Sequence, residues 1–447
     1  MVGGIEAEVA ELEQRVGALR SALQFAPRAF VMEFAGTPKS GKSTSVEGIR
    51  HFFSRHGFRV HVLVERASVC PIPMKGHLYF NTWCATTMLA ELLANVDTET
   101  DLIIVDRGLF DALVWLTLQS QRGEVTAAEA KTIENFLLLE RWRTLIDLAV
   151  VMNVNPEQAI ARENSQRISA KPGSIMNPDV LSAISESVET TVERYGSKFG
   201  DVIIHDTTGE DVRQSNVRLA GKIIDHLASF LNPEILVVPS QELAKLPWEN
   251  GGAFTADARD MLMTCISTFG RYMKRSDAEI DSDYLQIIPC GILVYGTQIF
   301  LFERKERDPK YRLYGRTTIW QGCHVAKQAD KEGLDLLKGA LLERITRSLY
   351  LSRIFPIEFE GYCWDPNDEK SNRHFGVIFR VTINNDHTAT DLRKKEFRTG
   401  RGHGLAGGFV SSNDLSSAGV RANLETWSLA ILNGMHMQDL SGQEGVV

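Results

Sequence analysis

Missing from this chain are most marks of secretion, membrane insertion or a cross-linked fold. Its six cysteines (Cys70, Cys84, Cys265, Cys290, Cys323, Cys363) are scattered, with no C-x-x-C pair. That pattern argues against a disulfide frame or a paired-cysteine zinc site and fits reduced thiols. No apolar run is long enough to span a bilayer, and the first residues lack a signal-peptide pattern. The expectation is therefore a soluble cytoplasmic protein with no membrane partner. Excess positive charge is absent too. The 49 Lys and Arg stand against 57 Asp and Glu, a net charge of −8, which argues against binding duplex nucleic acid. A local basic groove for a small anion stays open. No internal repeat or low-complexity tract is visible.

What is present reads as ordinary globular sequence, 43% hydrophobic and 24% charged. At 447 residues the chain exceeds one hydrophobic core, so two or three domains are expected. Residues 1–27 open with Ile5, Val9, Leu12, Val16, Leu19 and Leu23, an a/d seam of three heptads. The seam suits either a helix laid against its own domain or self-association into a homo-oligomer.

From residue 28 short apolar strands alternate with helices. Strands are expected at 30–34, 59–64, 102–105, 148–154 and 202–204, with helices at 42–56, 82–95, 109–118, 127–145, 156–166, 179–195 and 211–231. This is the signature of a parallel α/β sheet covered on both faces, over 28–232. Residues 233–282 read as a linker carrying a helix near 256–274. From 283 to 447 an α+β domain is expected, with a hairpin through 284–303, strands near 359–364 and 375–383, and helices near 333–349 and 424–432.

Gly36-Thr37-Pro38-Lys39-Ser40-Gly41-Lys42-Ser43 matches G-x-x-x-x-G-K-[ST] in full, between an expected strand and an expected helix. In such a loop the backbone N–H groups and the helix N-terminus face phosphate oxygens. Lys42 neutralises the β- and γ-phosphates, and the Ser43 hydroxyl reaches Mg²⁺. Gly36, Lys39, Ser40, Gly41, Lys42, Ser43 and Thr44 are the candidate nucleotide-binding set, with ATP and Mg²⁺ the implied cofactors. Asp106, at the end of a strand, is a second candidate metal residue; alternatively it pairs with Arg107.

The order of features over 28–232 resembles the thymidylate kinase and deoxynucleoside kinase group of P-loop kinases. After the phosphate loop come Val62-Leu63-Val64-Glu65-Arg66, Phe80-Asn81-Thr82-Trp83, Asp106-Arg107-Gly108, Arg162 with Arg167, and Asp206-Thr207-Thr208. The resemblance implies that Glu65 accepts a proton from, or holds, a sugar hydroxyl, and that Arg107 grips the acceptor. It implies that Asn81 reads a base, with Trp83 beside it as stacking platform or core. Arg162, Arg167 and Lys171 would form a cationic lid. The bland alternatives are surface pairs: Glu65 with Arg66, Arg107 with Asp106, and a basic helix end. The motif also departs from the family, because Gly108 stands where nucleoside kinases usually carry serine.

The region 283–447 resembles a Nudix hydrolase, through Phe300-Leu301-Phe302-Glu303-Arg304, Ile319-Trp320-Gln321-Gly322-Cys323-His324 and the helix around Glu343. Positions where Nudix enzymes carry metal-binding carboxylates are Arg344, Arg347 and Ser348, which implies a hydrolytically silent domain that binds an anionic or nucleotide ligand. The expected function is Mg²⁺-dependent phosphoryl transfer from ATP to a small nucleoside or nucleoside monophosphate acceptor. The alternative is an ATP-driven switch or scaffold without such an acceptor.

Overall fold

A computed structural model describes residues 2–23, 26, 28–96, 100–166, 175–248, 254–255, 258–305, 313, 315–327, 331–349, 351, 355–368, 371–384, 388–389, 392, 397–398 and 404–434. The chain packs as two compact units, Met1–Leu231 and Asn232–Val447.

The first unit opens with helix α1 (Val2–Ala22). Its sheet is built from β1 (Phe30–Gly36), β2 (Val60–Leu63), β3 (Leu102–Asp106), β4 (Leu148–Asn153) and β5 (Asp201–Asp206). The order is β2-β3-β1-β4-β5, and every pairing is parallel. Between the strands run α2 (Lys42–Arg55), α3 (Leu78–Asn95), α4 (Leu109–Gln121), α5 (Ala127–Leu137), α6 (Glu140–Arg143), α7 (Pro156–Gln166), α8 (Pro178–Tyr195) and α9 (Val212–Leu231). The central strands are apolar and buried on both faces, as parallel strands under two helical layers must be. Alternate residues feed two clusters: Val31 and Ala35 pack toward α3, α4 and α8, whereas Phe30, Met32 and Phe34 pack toward α2 and α9. This is the architecture of a P-loop kinase, an α/β fold with a five-stranded parallel sheet.

One helix departs from the sequence pattern, and α1 takes up one of its two readings. The helix expected over 127–145 breaks after Leu137, and the indole of Trp142 donates to the carbonyl of Phe136 (2.8 Å), satisfying one of the groups the break releases. The α1 seam, in turn, is used inside the chain. Leu12, Val16 and Leu23 are buried in one cluster with Leu219, Ile223 and Leu227 of α9.

In the second unit, β6 (Glu234–Pro239), α10 (Ser240–Leu243), β7 (Phe254–Thr255), α11 (Arg259–Phe269), β8 (Arg271–Lys274) and α12 (Arg275–Ala278) come first. They are followed by β9 (Tyr284–Tyr295), β10 (Gln298–Lys305), β11 (Thr317–Thr318), β12 (Gln321–Gly322) and α13 (Gly333–Leu349). β13 (Ile357–Cys363), β14 (His374–Thr382), β15 (Phe397–Arg398) and β16 (Gly404–Ser411) complete a mixed sheet. Its main path is β15-β16-β10-β9-β14-β13-β7, with β9 and β14 parallel. Period-two alternation along β9 sends Ile287 and Leu293 to the α13 face and Cys290 and Ile292 to the face covered by the helix Thr426–Gly434.

The stretch expected as a linker, 233–282, belongs to this second unit. The Ile235–Val238 run is a buried strand between β8 and β9. The helix expected over 256–274 stops at Phe269. Gly270 follows in extended conformation, and a Cβ there would meet the Ile266 carbonyl oxygen at 2.3 Å. Among the described residues no helix is long and apolar enough to cross a membrane.

Candidate functional site

The phosphate loop leaves β1 at Gly36, where φ is +119°, and a Cβ would lie 2.0 Å from the Met152 carbonyl oxygen. Only glycine fits. The loop re-enters helix at Gly41, the N-cap of α2, with φ +93° and no side-chain cap. The first-turn N–H groups of α2 thus have no capping side chain, which leaves them suited to an anion. Lys42 is buried, and its ammonium donates to the carbonyls of Gly36 (3.0 Å) and Thr37 (2.6 Å). Burial, with Arg107 adding to it, lowers its pKa to about 7 against the pull of Asp111, Asp106 and Glu65. A buried lysine so poised gains most from a bound phosphate.

The loop lines a cleft of about 560 Å³ together with Arg107, Arg162 and the turn from β5 into α9. Lys39, Ser40, Gly41, Lys42, Ser43 and Thr44 all line it. Lys39 adopts φ +58° and pairs with Glu163 of α7 at 2.7 Å. Arg162 donates to the Lys39 carbonyl (2.9 Å), to Thr207 Oγ1 (2.9 Å) and to the Thr207 carbonyl (2.8 Å). It therefore bolts the loop to the far wall, where Thr207 Oγ1 also donates to Ser40 O (3.1 Å). Arg167 and Lys171 lie outside the described residues.

The opposite rim is a charge cluster after β3. Arg107 is held at φ +63°, a conformation that costs a bulky residue about 1–3 kcal/mol. Its guanidinium contacts Glu65 (2.7 Å) and Asp111 (3.0 Å). The pairings set aside as bland do not form: Glu65 meets Arg107 rather than Arg66, and Arg66 pairs with Glu91. Asp106 is buried, and burial raises its carboxyl to about 6 despite neighbouring Arg107.

Two acids escaped the sequence reading. Asp111 accepts from Arg107, from the Trp115 indole (3.1 Å) and from the N–H of Gly36 (3.2 Å), linking α4 to the start of the phosphate loop. Glu33 is fully buried in β1 and accepts the N–H groups of Gly108 (2.9 Å), Phe110 (3.1 Å) and Asp111 (2.8 Å). It caps α4 from another strand, and burial raises its pKa to about 7. The signal was a single acid inside the apolar run Phe30–Phe34. Glu33 also accounts for Gly108: a Cβ at that position would lie 2.8 Å from Glu33 Oε2, so serine would collide.

Asn81 and Trp83 stand apart from this cleft. Asn81 is buried on α3, donates to the Ala112 carbonyl (3.1 Å), and lines a separate apolar hollow of about 300 Å³ with Ala85, Ile133 and Phe136. Trp83 is half-buried on the same helix and lines neither cavity.

No protein-family model matches the chain. It is 23% identical over 206 residues to Protein YmaB of Bacillus subtilis (strain 168), which covers 44% of this chain and 95% of that protein. Among solved structures, deoxyadenosine kinase from M. mycoides with products dCMP and a flexible dCDP bound aligns at 16% identity, covering 44% of this chain and all of that one, with a TM-score of 0.35. Thymidylate kinase from Candida albicans aligns at 14% identity over 45% of this chain and 94% of its own, TM-score 0.35. Tm1382, a candidate Nudix hydrolase, aligns at 16% identity over 45% and 96%, TM-score 0.35. The fold assignment rests on the chain's own strand order, parallel pairing and phosphate loop.

Proposed function

We propose that the chain transfers the γ-phosphoryl group of ATP to a nucleoside or nucleoside monophosphate. The observation that carries this reading is Arg107. It lines the phosphate cleft with Lys42 and Arg162, and the same guanidinium holds the carboxylate of Glu65. A cation on the donor side is thereby tied to a base on the acceptor side, an arrangement that a nucleotide-driven switch has no use for.

In this reading Lys42 and the uncapped start of α2 hold the β- and γ-phosphates. Arg162 and Arg107 supply charge to the equatorial oxygens of the transferring group, with Arg167 as a further lid cation. Glu65 takes the proton of the acceptor hydroxyl, and Arg107 releases it as phosphate enters. Gln158, Thr207 and Asn216 line the same cleft and would face the bound nucleotide. Ser43 and Asp106 would hold Mg²⁺, which supplies charge neutralisation between the β- and γ-oxygens. Asn81 would act on the acceptor through the hollow it lines.

The second unit is read as an anion-binding module without hydrolytic activity. Of the residues on α13, Arg347 pairs with Glu343 (3.0 Å) and Ser348 donates to the Arg344 carbonyl (2.7 Å). Arg344 is half-buried, and its charge opposes the desolvation that pushes the Cys323 thiol up to about 12.

The deciding experiment is ATP turnover with and without a panel of nucleosides and monophosphates, with products identified by mass. Acceptor-dependent ADP formation with a phosphorylated product is expected. Turnover that no acceptor accelerates would replace the kinase by the switch.

A further inference from the structure

Outside the phosphate cleft, the second unit brings together three potential metal ligands from distant parts of the chain. Glu279 follows the last turn of α12, His324 follows β12, and His374 opens β14. Each offers one ligand atom, and these atoms lie within 4.8 Å of one another. We propose that Glu279, His324 and His374 form a binding site for a single Zn²⁺-class ion.

The donor set is the first reason. Two imidazoles and one carboxylate suit zinc and its neighbours, whereas Mg²⁺ and Ca²⁺ take oxygen ligands almost throughout. The ring arrangement is the second. The two imidazole centroids stand 5.9 Å apart, and two imidazoles on one zinc at about 2.1 Å place their centroids about 5 Å apart. Closing the site needs side-chain movement of about 1 Å, well within rotamer adjustment for half-buried groups.

The third reason is the support behind the ligands. Gln286 of β9 is fully buried and directly opposite His374 in the parallel β9–β14 pair. Its amide nitrogen donates to the carbonyl of Ala278 (3.3 Å), the residue before Glu279. A carbonyl only accepts, so this bond fixes the amide orientation and turns Oε1 toward His324 Nε2, 2.8 Å away. Nε2 must then carry the proton, leaving Nδ1 with the lone pair to offer. One buried amide thus sets the tautomer of one ligand and touches the segments bearing the other two. Metal-binding histidines characteristically have this kind of outer-shell partner. Arg373, next to His374, donates to the Ile280 carbonyl (2.9 Å), next to Glu279, so the flanking backbone is fastened as well.

One opposing feature is Arg275, whose guanidinium lies 3.6 Å from Glu279. That separation exceeds a hydrogen bond, and the ion would take the carboxylate over. Three protein ligands leave a fourth position for water, so the site is of the open rather than the closed structural type.

The test uses the full chain, stripped of metal by chelation, dialysed against Zn²⁺ and freed of excess. Metal content is measured by mass spectrometry, and Co²⁺ in place of Zn²⁺ gives a visible absorption band. The expected result is about one equivalent retained, with a tetrahedral-type Co²⁺ band and a raised melting temperature. His324→Gln, His374→Asn and Glu279→Gln should each lose the equivalent and the band, while Lys42→Ala keeps both. Circular dichroism of the stripped proteins, identical to wild type, shows that the loss is not misfolding. Metal-free wild type after dialysis, or retention of the ion by the histidine variants, overturns the proposal.

Discussion

Around the phosphate loop of the first unit, Lys42, Glu33, Asp106, Asp111 and Arg107 are packed within reach of one another. Three of them are pushed toward neutrality: Lys42 to about 7, Glu33 to about 7 and Asp106 to about 6. On α13 of the second unit, by contrast, Arg344 is half-buried and Arg347 pairs with the exposed Glu343. Lys42 is the one of the three shifted groups that lines the cleft, and a strongly perturbed group so placed is what transfer chemistry uses. Half-exposed guanidinium groups on a helix suit recognition of an anion. On the proposed reading the two strand–loop–helix elements serve different tasks.

The largest effect expected from this contrast is at Lys42. Lys42→Ala removes a cation that reaches the loop's interior, and ATP-dependent turnover should fall on the order of 10²–10³-fold. Its amine bonds within the loop, to the Gly36 and Thr37 carbonyls and to Ser40 Oγ, so circular dichroism and melting temperature should stay close to wild type. Full activity in this variant would end the assignment of the loop.

The same variant isolates the second unit. In Lys42→Ala protein, Mg²⁺-dependent hydrolysis of nucleotides should be undetectable, and adding Glu343→Gln should change nothing. Arg344→Glu with Arg347→Glu should weaken binding of a nucleotide or polyphosphate to that unit at least about tenfold, through loss of charge-assisted hydrogen bonds. Residual hydrolysis that Glu343→Gln abolishes would erase the contrast and make both units enzymes.

A smaller effect is expected at Gly108. Gly108→Ser places a Cβ against Glu33 Oε2 and Val105 Cγ1, and overpacking of this kind costs about 1–3 kcal/mol. Denaturant unfolding measures it. The double variant Glu33→Ala with Gly108→Ser should cost less than the sum of the two single changes, because the contacts with the Glu33 carboxylate are gone and the contact with Val105 Cγ1 remains.

How much of this was legible beforehand follows from which interactions are local. The loop 36–43 and its flanking strand and helix could be read from residue spacing, since each element's geometry depends on its near neighbours. So could the parallel sheet, whose strands are continuous apolar runs. Glu33 could not be given a role, because the N–H groups it accepts, on Gly108, Phe110 and Asp111, meet it only once β1 and β3 pair. Asp111 has local partners in Arg107 and Trp115, but its bond from the Gly36 N–H is equally distant in sequence. The strands β6 and β8 were missed for a related reason: Arg271–Lys274 has no apolar alternation and is a strand only because it pairs with Ile235 and its neighbours. Glu279, His324 and His374 share no metal-binding spacing, and the pairings of β9 with β12 and β14 bring the two histidines together.

The last and smallest effect concerns pH, and it separates the charged groups of the first unit by sign. Lys42 has a folded pKa near 7, below its value in an unfolded chain. Between about 7 and 10.5 the folded protein therefore binds fewer protons than the unfolded one, and the Lys42 contribution to stability rises with pH across that window. Glu33 has a folded pKa near 7, above its ordinary 4.5. Its contribution is fully present below about 4.5 and is lost as pH rises through 7, the opposite direction. Glu33→Gln should therefore flatten the fall in stability between 4.5 and 7 and leave the rise above 7 intact. ATP binding probes Lys42 most directly. A triphosphate beside the ammonium raises its pKa, so at pH 8 binding should take up close to one proton, and affinity should fall up to about tenfold per pH unit above 7. Calorimetry in buffers of different ionisation enthalpy reads the uptake directly. Lys42→Arg, which stays charged throughout, should bind ATP with no such uptake. Proton uptake unchanged in that variant would assign the titration to Glu33 or Asp106 instead.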